Sequence, residues 1–234
     1  MGSALAGVEV SSFLLGNYSV TQEEWQHVRL WAERLDHTIR PDANYFKDPT
    51  YPVGVNWYDA ILWCNAKSVM EGLRPFYRPS DPIYELATKD AVSWENSEEF
   101  NQLASYPVLL NPEANGYRLP TEAEREWAAR GGRASQGYKF AGSNNVDEVA
   151  WYCSNSRQSM HPSGKKAPNE LGLYDMSGNQ FEWCWDLAEG STTYHRIRGG
   201  SWCNFPAFCT VTARCSSFTF NRVDDIGVRL ARNL

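Results

Sequence analysis

Arg198-Gly199-Gly200-Ser201-Trp202 leads into a tail, Cys203 to Leu234, that reads CNFPAFCTVTARCSSFTFNRVDDIGVRLARNL. The tail holds no Lys, Glu, Gln, Met or Trp, although all five types occur before it. These are the residues that an asparagine codon cannot reach when only its first two bases change. Asn204 and Asn221 fit as unchanged positions, and Phe, Ser, Cys, Thr, Val and Asp surround them with neither strand nor helix period. A fixed frame runs through the scramble: Gly199-Gly200-Ser201-Trp202, Pro206-Ala207, Arg214, Arg222 and Ile226-Gly227-Val228-Arg229-Leu230. The segment reads as a hypervariable ligand-contacting surface. The plainer alternative is a polar strand-and-loop terminus whose composition arose by chance.

The 234 residues carry a net charge of −6 and no basic block, which argues against a nucleic-acid backbone as partner. No apolar run approaches a membrane span, so direct membrane insertion is not expected. Hydrophobic content of 42% with ten Trp and twelve Tyr suits an irregular fold whose interior is filled by large rings. Met1-Gly2-Ser3 resembles an expression scar, and Ala6 stands where a myristoylation signal needs Ser or Thr. A cell-surface or extracellular protein whose signal peptide was removed in cloning fits this start. The six Cys, at 64, 153, 184, 203, 209 and 215, form no CxxC and no dense disulfide framework. Cys64 and Cys184 read as small buried thiols.

No Gly/Ser linker, low-complexity block or repeat divides the chain, so one domain over 1–234 is expected, with 203–225 as its variable region. Val8 to Val20 reads as a hairpin turning at Gly16-Asn17. Thr21-Gln22-Glu23-Glu24 is a capping box that opens a helix with Trp25, Val28, Ala32 and Leu35 on one face. A second helix spans about Asn56 to Met70. Its expected inner face combines the row Leu62, Ala66, Val69 with the row Trp57, Ile61, Cys64. A second capping box, Thr121-Glu122-Ala123-Glu124, starts a third helix that ends at Gly131-Gly132. Residues 74–113 look like short strands and loops, and 138–170 like a long ordered coil. Strands are expected at Arg196-Ile197-Arg198, at Cys209 to Arg214 and at Gly227 to Ala231. The total is α+β with low regular content.

Four phrases now combine: Asn17-Tyr18-Ser19-Val20-Thr21-Gln22-Glu23-Glu24-Trp25, Gly116-Tyr117-Arg118-Leu119-Pro120-Thr121-Glu122-Ala123-Glu124, Gly172-Leu173-Tyr174-Asp175-Met176-Ser177-Gly178-Asn179 and Arg198-Gly199-Gly200-Ser201-Trp202. Together, in order and over nearly the whole chain, they resemble the formylglycine-generating-enzyme (sulfatase-modifying factor) family. The resemblance implies a loop-rich C-type-lectin-like fold. With the scrambled tail, the chain is most similar to the variable proteins of diversity-generating retroelements built on this family, such as those of spirochaetes. In such systems Asn codons on the ligand-binding face are randomised.

The family's oxidase is described as holding copper(I) on two Cys separated by four residues. Cys209 matches the second, but Asn204 occupies the first position and Cys203 lies one residue too early, so no copper is expected. On a strand that offset would turn the side chain to the opposite face. The plain reading of Cys209 is a small buried residue. His27, His37, His161 and His195 are isolated, with no HxxxH spacing, and no nucleophile elbow is present. A formylglycine-generating-type oxidase acting on a protein Cys remains the alternative to a non-enzymatic binder. The family is also described as binding calcium through the phrase that includes Asp175, Gly178, Gln180 and Glu182. Each could offer an oxygen to a structural Ca²⁺, Asp175 and Glu182 by carboxylate and Gly178 and Gln180 by carbonyl. The alternative is a loop whose acids cap backbone N–H groups.

The expected ligand contacts are Cys203, Phe205, Phe208, Thr210, Thr212, Cys215, Ser216, Ser217, Phe218, Thr219, Phe220, Val223, Asp224 and Asp225. Exposed rings among hydroxyls make an adaptable protein-binding patch, and Asp224-Asp225 would favour a basic spot on the partner. A glycan ligand is a weaker option, because it rests on the fold alone. Arg214, Arg222 and Arg229 are expected to fix the loop path by pairing with acids or carbonyls.

Overall fold

The computed structural model describes residues 5, 7–35, 39–41, 48–78, 108–111 and 113–234. The expectations for 79–107, and for His37, lie outside these residues. Helix α1 (Gln22–Glu33) starts at the Thr21 capping box, and α3 (Glu122–Ala129) at the Thr121 box; both boxes are complete. Helix α2 (Trp57–Met70) is capped by Asn56, whose side chain accepts the Asp59 N–H at 2.8 Å. A short helix, α4 (Val146–Val149), interrupts the coil between 138 and 170. Gly131 ends α3 at φ 87°, a left-handed conformation natural to glycine.

The strands are β1 (Phe13–Leu15), β2 (Tyr77–Arg78), β3 (Leu109–Leu110), β4 (Tyr117–Arg118), β5 (Phe181–Leu187), β6 (Tyr194–Arg198), β7 (Cys215–Phe218), β8 (Ile226–Gly227) and β9 (Ala231–Asn233). They form three sheets, ordered β1-β9-β4, β2-β3 and β7-β6-β5-β8, with β8 parallel to β5. Two expectations are corrected. The N-terminal strand does not fold back on itself as a hairpin: Phe13–Leu15 pairs with the chain end, Leu15 opposite Ala231. The expected strand from Cys209 to Arg214 is the end of a 3-10 turn (Pro206–Cys209) followed by turns, and strand pairing begins only at Cys215. In α2, Trp57, Ile61 and Cys64 are buried, but Val69 is 49% exposed: in the last turn Ser68 and Met70 take the inward side and Val69 faces out.

Rings fill the main core, and their polar edges pin the loops. Trp25 and Trp63 stack at 5.3 Å, and Trp63 donates its indole N–H to Trp25 O. Trp57 donates to Cys184 O at 3.0 Å, Trp183 to Val55 O at 2.8 Å and Trp25 to Arg40 O at 2.9 Å. Each of these indoles thus removes apolar area from water and ties its segment to a backbone carbonyl of another. Cys64 and Cys184 are fully buried within the same interior. Among the described residues no helix is long and apolar enough to cross a membrane.

Beside the rings lies a buried ionic hub. Glu182 on β5 receives Arg125 from α3 at 2.6 Å, Arg229 at 2.7 Å and the Ser19 hydroxyl at 2.6 Å. Arg125 also donates to Met176 O, and Arg229 to Gly16 O and Tyr174 O. Burial alone would raise the Glu182 pKa, but the two guanidinium groups outweigh it and hold the carboxyl at about 2. A depressed carboxylate stabilises the fold above its unfolded pKa, and that contribution is lost as pH falls toward 2. Glu182→Ala strands two buried cations and should cost about 3–5 kcal/mol in urea denaturation. Glu182→Gln should flatten the acid limb of the stability–pH curve between about pH 4.5 and 2.

Candidate ligand-binding face

Groups outside the tail hold its backbone. Cys153 N–H donates to Asn204 O at 3.0 Å, and the Ser177 hydroxyl to Cys209 O at 2.7 Å. Arg198 donates to Val211 O at 3.1 Å and also to Ala213 O, while Val211 N–H reaches Lys139 O at 3.0 Å. Trp57 N–H donates to Thr219 O, Phe181 N–H to Asp225 O, and the Gln180 amide to Asp224 O. At Gly54 a Cβ would sit 2.6 Å from Val223 O, so the chain there needs glycine to let the tail pass. The frame arginines complete the support. Arg214 makes a bidentate pair with Glu122 at 2.8 and 2.7 Å, Arg222 lies 3.3 Å from Asp59, and Arg229 reaches the Glu182 hub.

The expected contact residues separate into three groups. Cys203, Phe205, Phe208, Ser216 and Val223 are exposed, with Phe205 at 69%. Thr210, Thr212, Cys215, Phe218, Phe220, Asp224 and Asp225 are half-buried. Ser217 and Thr219 are buried, so the expectation that they face a ligand is corrected. Ser217 pairs with His195 across β7 and β6, and strand alternation turns it inward while Ser216 points out. The Thr219 side chain donates to Thr193 O and its N–H to the same oxygen at 2.9 Å.

Two clusters result. One is the exposed turn carrying Cys203, Phe205 and Phe208. The other is a ring row that runs outward from the core: Tyr58 to Phe220 at 4.8 Å, Phe220 to Phe218 at 5.9 Å, Phe218 to Tyr194 at 5.5 Å. Tyr58 is buried, Phe220 and Phe218 are half-buried, and Tyr194 is 45% exposed. Sequence reasoning missed Tyr194, because it lies outside the tail whose composition drew attention. Beside the first cluster, Asp225 Oδ2 lies 3.1 Å from Ser201 Oγ and 3.6 Å from Cys203 Sγ.

The cysteines do not sit as a pair on one strand. The stretch from Cys203 to Cys209 is turn and 3-10 helix, so strand parity is not what separates them. Cys209 is buried beside Phe140, Val149, Ala150 and Tyr152, and burial pushes its thiol up to about 12. The Cys203 thiol is exposed, faces Ser201 and Asp225, and is likewise raised, by burial of the sulfur and by the Asp225 charge.

The residues expected to hold Ca²⁺ do not fit that ion. Both carboxylate oxygens of Glu182 face arginines, which would repel a second cation. The Gly178 carbonyl accepts the Gln180 N–H at 2.9 Å. Asp175 accepts Gly164 N–H on Oδ2 at 2.7 Å, its Oδ1 is buried without a partner, and burial pushes its carboxyl up to about 6. The Asp175 contact is thus the capping role named above as the alternative. Among the described residues no group of three His, Cys, Asp or Glu is arranged to hold a metal.

The architecture defines a C-type-lectin-like scaffold that presents a loop face on a pinned backbone. The chain belongs to the family described as "Sulfatase-modifying factor enzyme 1-like domain", whose profile matches residues 3–234. It is similar to "Chaperone protein LppX" of Paenibacillus barcinonensis, 38% identical over 217 residues, covering 83% of this chain and 71% of that protein. It is also similar to a formylglycine-generating enzyme of Streptomyces coelicolor, 29% identical, covering 99% of this chain and 76% of that enzyme. Two solved structures share the fold at TM-scores of 0.76 and 0.80. The first is Treponema denticola variable protein 1, 33% identical, covering 97% of this chain and 86% of the other. The second is CarF, 30% identical, covering 99% and 90%.

Three outcomes check this geometry. Millimolar Ca²⁺ or excess EDTA should leave the melting temperature unchanged, and a rise with Ca²⁺ would contradict the reading of Glu182. Phe205→Ser and Val223→Ser should shift urea stability by no more than about 0.5 kcal/mol. Thr219→Asp, which buries a charge, should cost more than about 2 kcal/mol.

Proposed function

We propose that this protein is a non-enzymatic, receptor- or adhesin-like binder whose tail, 203–225, is diversified by a retroelement and displayed at a cell surface. The observation that carries the reading is the backbone support. The carbonyls of Asn204, Cys209, Val211, Ala213, Thr219, Asp224 and Asp225 are satisfied by residues outside the segment. Side chains at exposed positions can then change without unsettling the path of the loop. The residue-type gap in the tail and the likeness to a variable protein support the same conclusion. The partner class that fits is a protein, gripped by Phe205, Phe208 and the Phe218–Tyr194 row, with the flanking hydroxyls adapting to it. A glycan is the lesser option.

A second reading, a formylglycine-generating-type oxidase acting on a protein Cys, draws on Cys209 and on the likeness to the Streptomyces enzyme. Copper(I) takes thiolates. The occupant of the first copper position, Asn204, whose side chain is engaged with Ser201, weighs toward the binder.

The native locus tests the proposal. A template repeat with Asn codons where this chain has Phe205, Phe208, Ser216 or Val223, beside a reverse-transcriptase gene, is expected. Absence of both would overturn diversification. Conversion of a Cys-containing sulfatase peptide, abolished by Cys209→Ala, would overturn the binder in favour of the oxidase.

A further inference from the structure

The turn after Trp202 and the loop before β8 meet at one cluster of polar side chains. Ser201, fully buried, places its Oγ 2.7 Å from Asn204 Oδ1 and 3.1 Å from Asp225 Oδ2. Asn204 Oδ1 also accepts the Ser201 backbone N–H at 2.9 Å, which fixes that atom as oxygen. The Ser201 hydroxyl thus faces two acceptor oxygens, Asn204 Oδ1 and Asp225 Oδ2, and the Cys203 thiol donates to the same Asp225 oxygen at 3.6 Å.

We propose that Asp225 is a positioning residue: its carboxyl accepts from Ser201 Oγ and Cys203 Sγ and clasps the 221–225 loop to the Ser201–Asn204 turn, setting the spacing between the two clusters. It rests on the proposed function only in taking those clusters as ligand-facing. Three side chains touch or face the carboxyl. Ser201 and Cys203 donate to it at 3.1 and 3.6 Å, and Asp224 is its charged neighbour. Burial and the Asp224 charge raise its pKa, and the two donated bonds oppose them. Position 203 takes part, because the thiol also lies 3.3 Å from Ser201 Oγ. Residues 203 and 225 therefore determine specificity as a pair, by how close they draw the two clusters.

An isosteric substitution separates a hydrogen-bonded side chain from a mere charge. Asparagine keeps an acceptor oxygen in the same place, so Asp225→Asn should preserve the clasp, and Asp225→Ala should break it. Hydrogen–deuterium exchange of the full chain by mass spectrometry reads this without a ligand. With Asp225→Ala, amides in both 201–205 and 221–226 should exchange about five-fold faster, the factor that one net hydrogen bond carries. Asp225→Asn and Asp224→Ala should match the parent, and peptides from α2 should stay unchanged in all three. Acceleration confined to 221–226 would overturn the clasp, as would acceleration by Asp225→Asn equal to that of alanine. Unfolding by Asp225→Ala would show as faster exchange in α2. The asparagine variant then decides alone: parent-like protection of both loops supports the clasp, and loss overturns it. A clasp found here with no template repeat at the locus would remove the proposed function and leave the positioning role standing.

Discussion

Glu182 is the residue on which the rest of the fold converges. Its carboxylate gathers Arg125 from α3, Arg229 from the chain end and Ser19 from the N-terminal loop. The arginines extend the contact to three further carbonyls, at 16, 174 and 176. A loop-rich chain has few ladders to hold distant segments together, and fully paired buried charges supply directed bonds in their place. The arrangement is costly to break rather than strongly stabilising in itself, because desolvation offsets much of the attraction. Its value here is geometric: strand, helix, both chain ends and a glycine-rich loop are referred to one point. The same pairing makes Glu182 unsuitable as a cation ligand, so structural ion and ionic hub are competing uses of one carboxylate.

A second device works alongside it. The core indoles of Trp25, Trp57, Trp63 and Trp183 each donate to a backbone carbonyl of another segment, and the tail's carbonyls are met by scaffold amides, Ser177, Gln180 and Arg198. Rigidity and variability are thereby separated within the same stretch of chain. The backbone belongs to the scaffold, whereas only some side chains belong to the surface. The separation is not complete. Ser217 and Thr219 lie in the scrambled tail yet face inward, and Phe220 packs against the main core.

Much of the fold was legible in the sequence wherever the signal was local. The capping boxes at Thr21 and Thr121 mark real helix starts, because the cap is made by residues three apart. The stop at Gly131 holds for the same reason. The N-terminal hairpin failed because the partner of Phe13–Leu15 is 218 residues further along, a pairing no short-range pattern encodes. The strand at 209–214 failed because alternating Thr and Val look strand-like without a neighbouring strand to receive them. For the face, composition pointed to the right segment but not to which side chains emerge from it. That depends on β7 starting at Cys215, and hence on the register with β6. The frame arginines were legible as anchors, although their partners, Glu122, Asp59 and Glu182, were not.

The sheet order gives the tail one more property. Glu182 stands opposite Arg198 in β6 on one side and opposite Gly227 in β8 on the other. The excursion from 199 to 226 thus departs and returns two strand spacings apart, about 10 Å, whatever happens in between. With its endpoints set, the entropy of closing such a loop grows only with the logarithm of its length. Lengthening the flexible part by a quarter costs about 0.2 kcal/mol. Closure entropy therefore sets little limit on length; the pinned carbonyls at 204 and 209 do, so a change of reach is confined to the stretch between one anchor and the next.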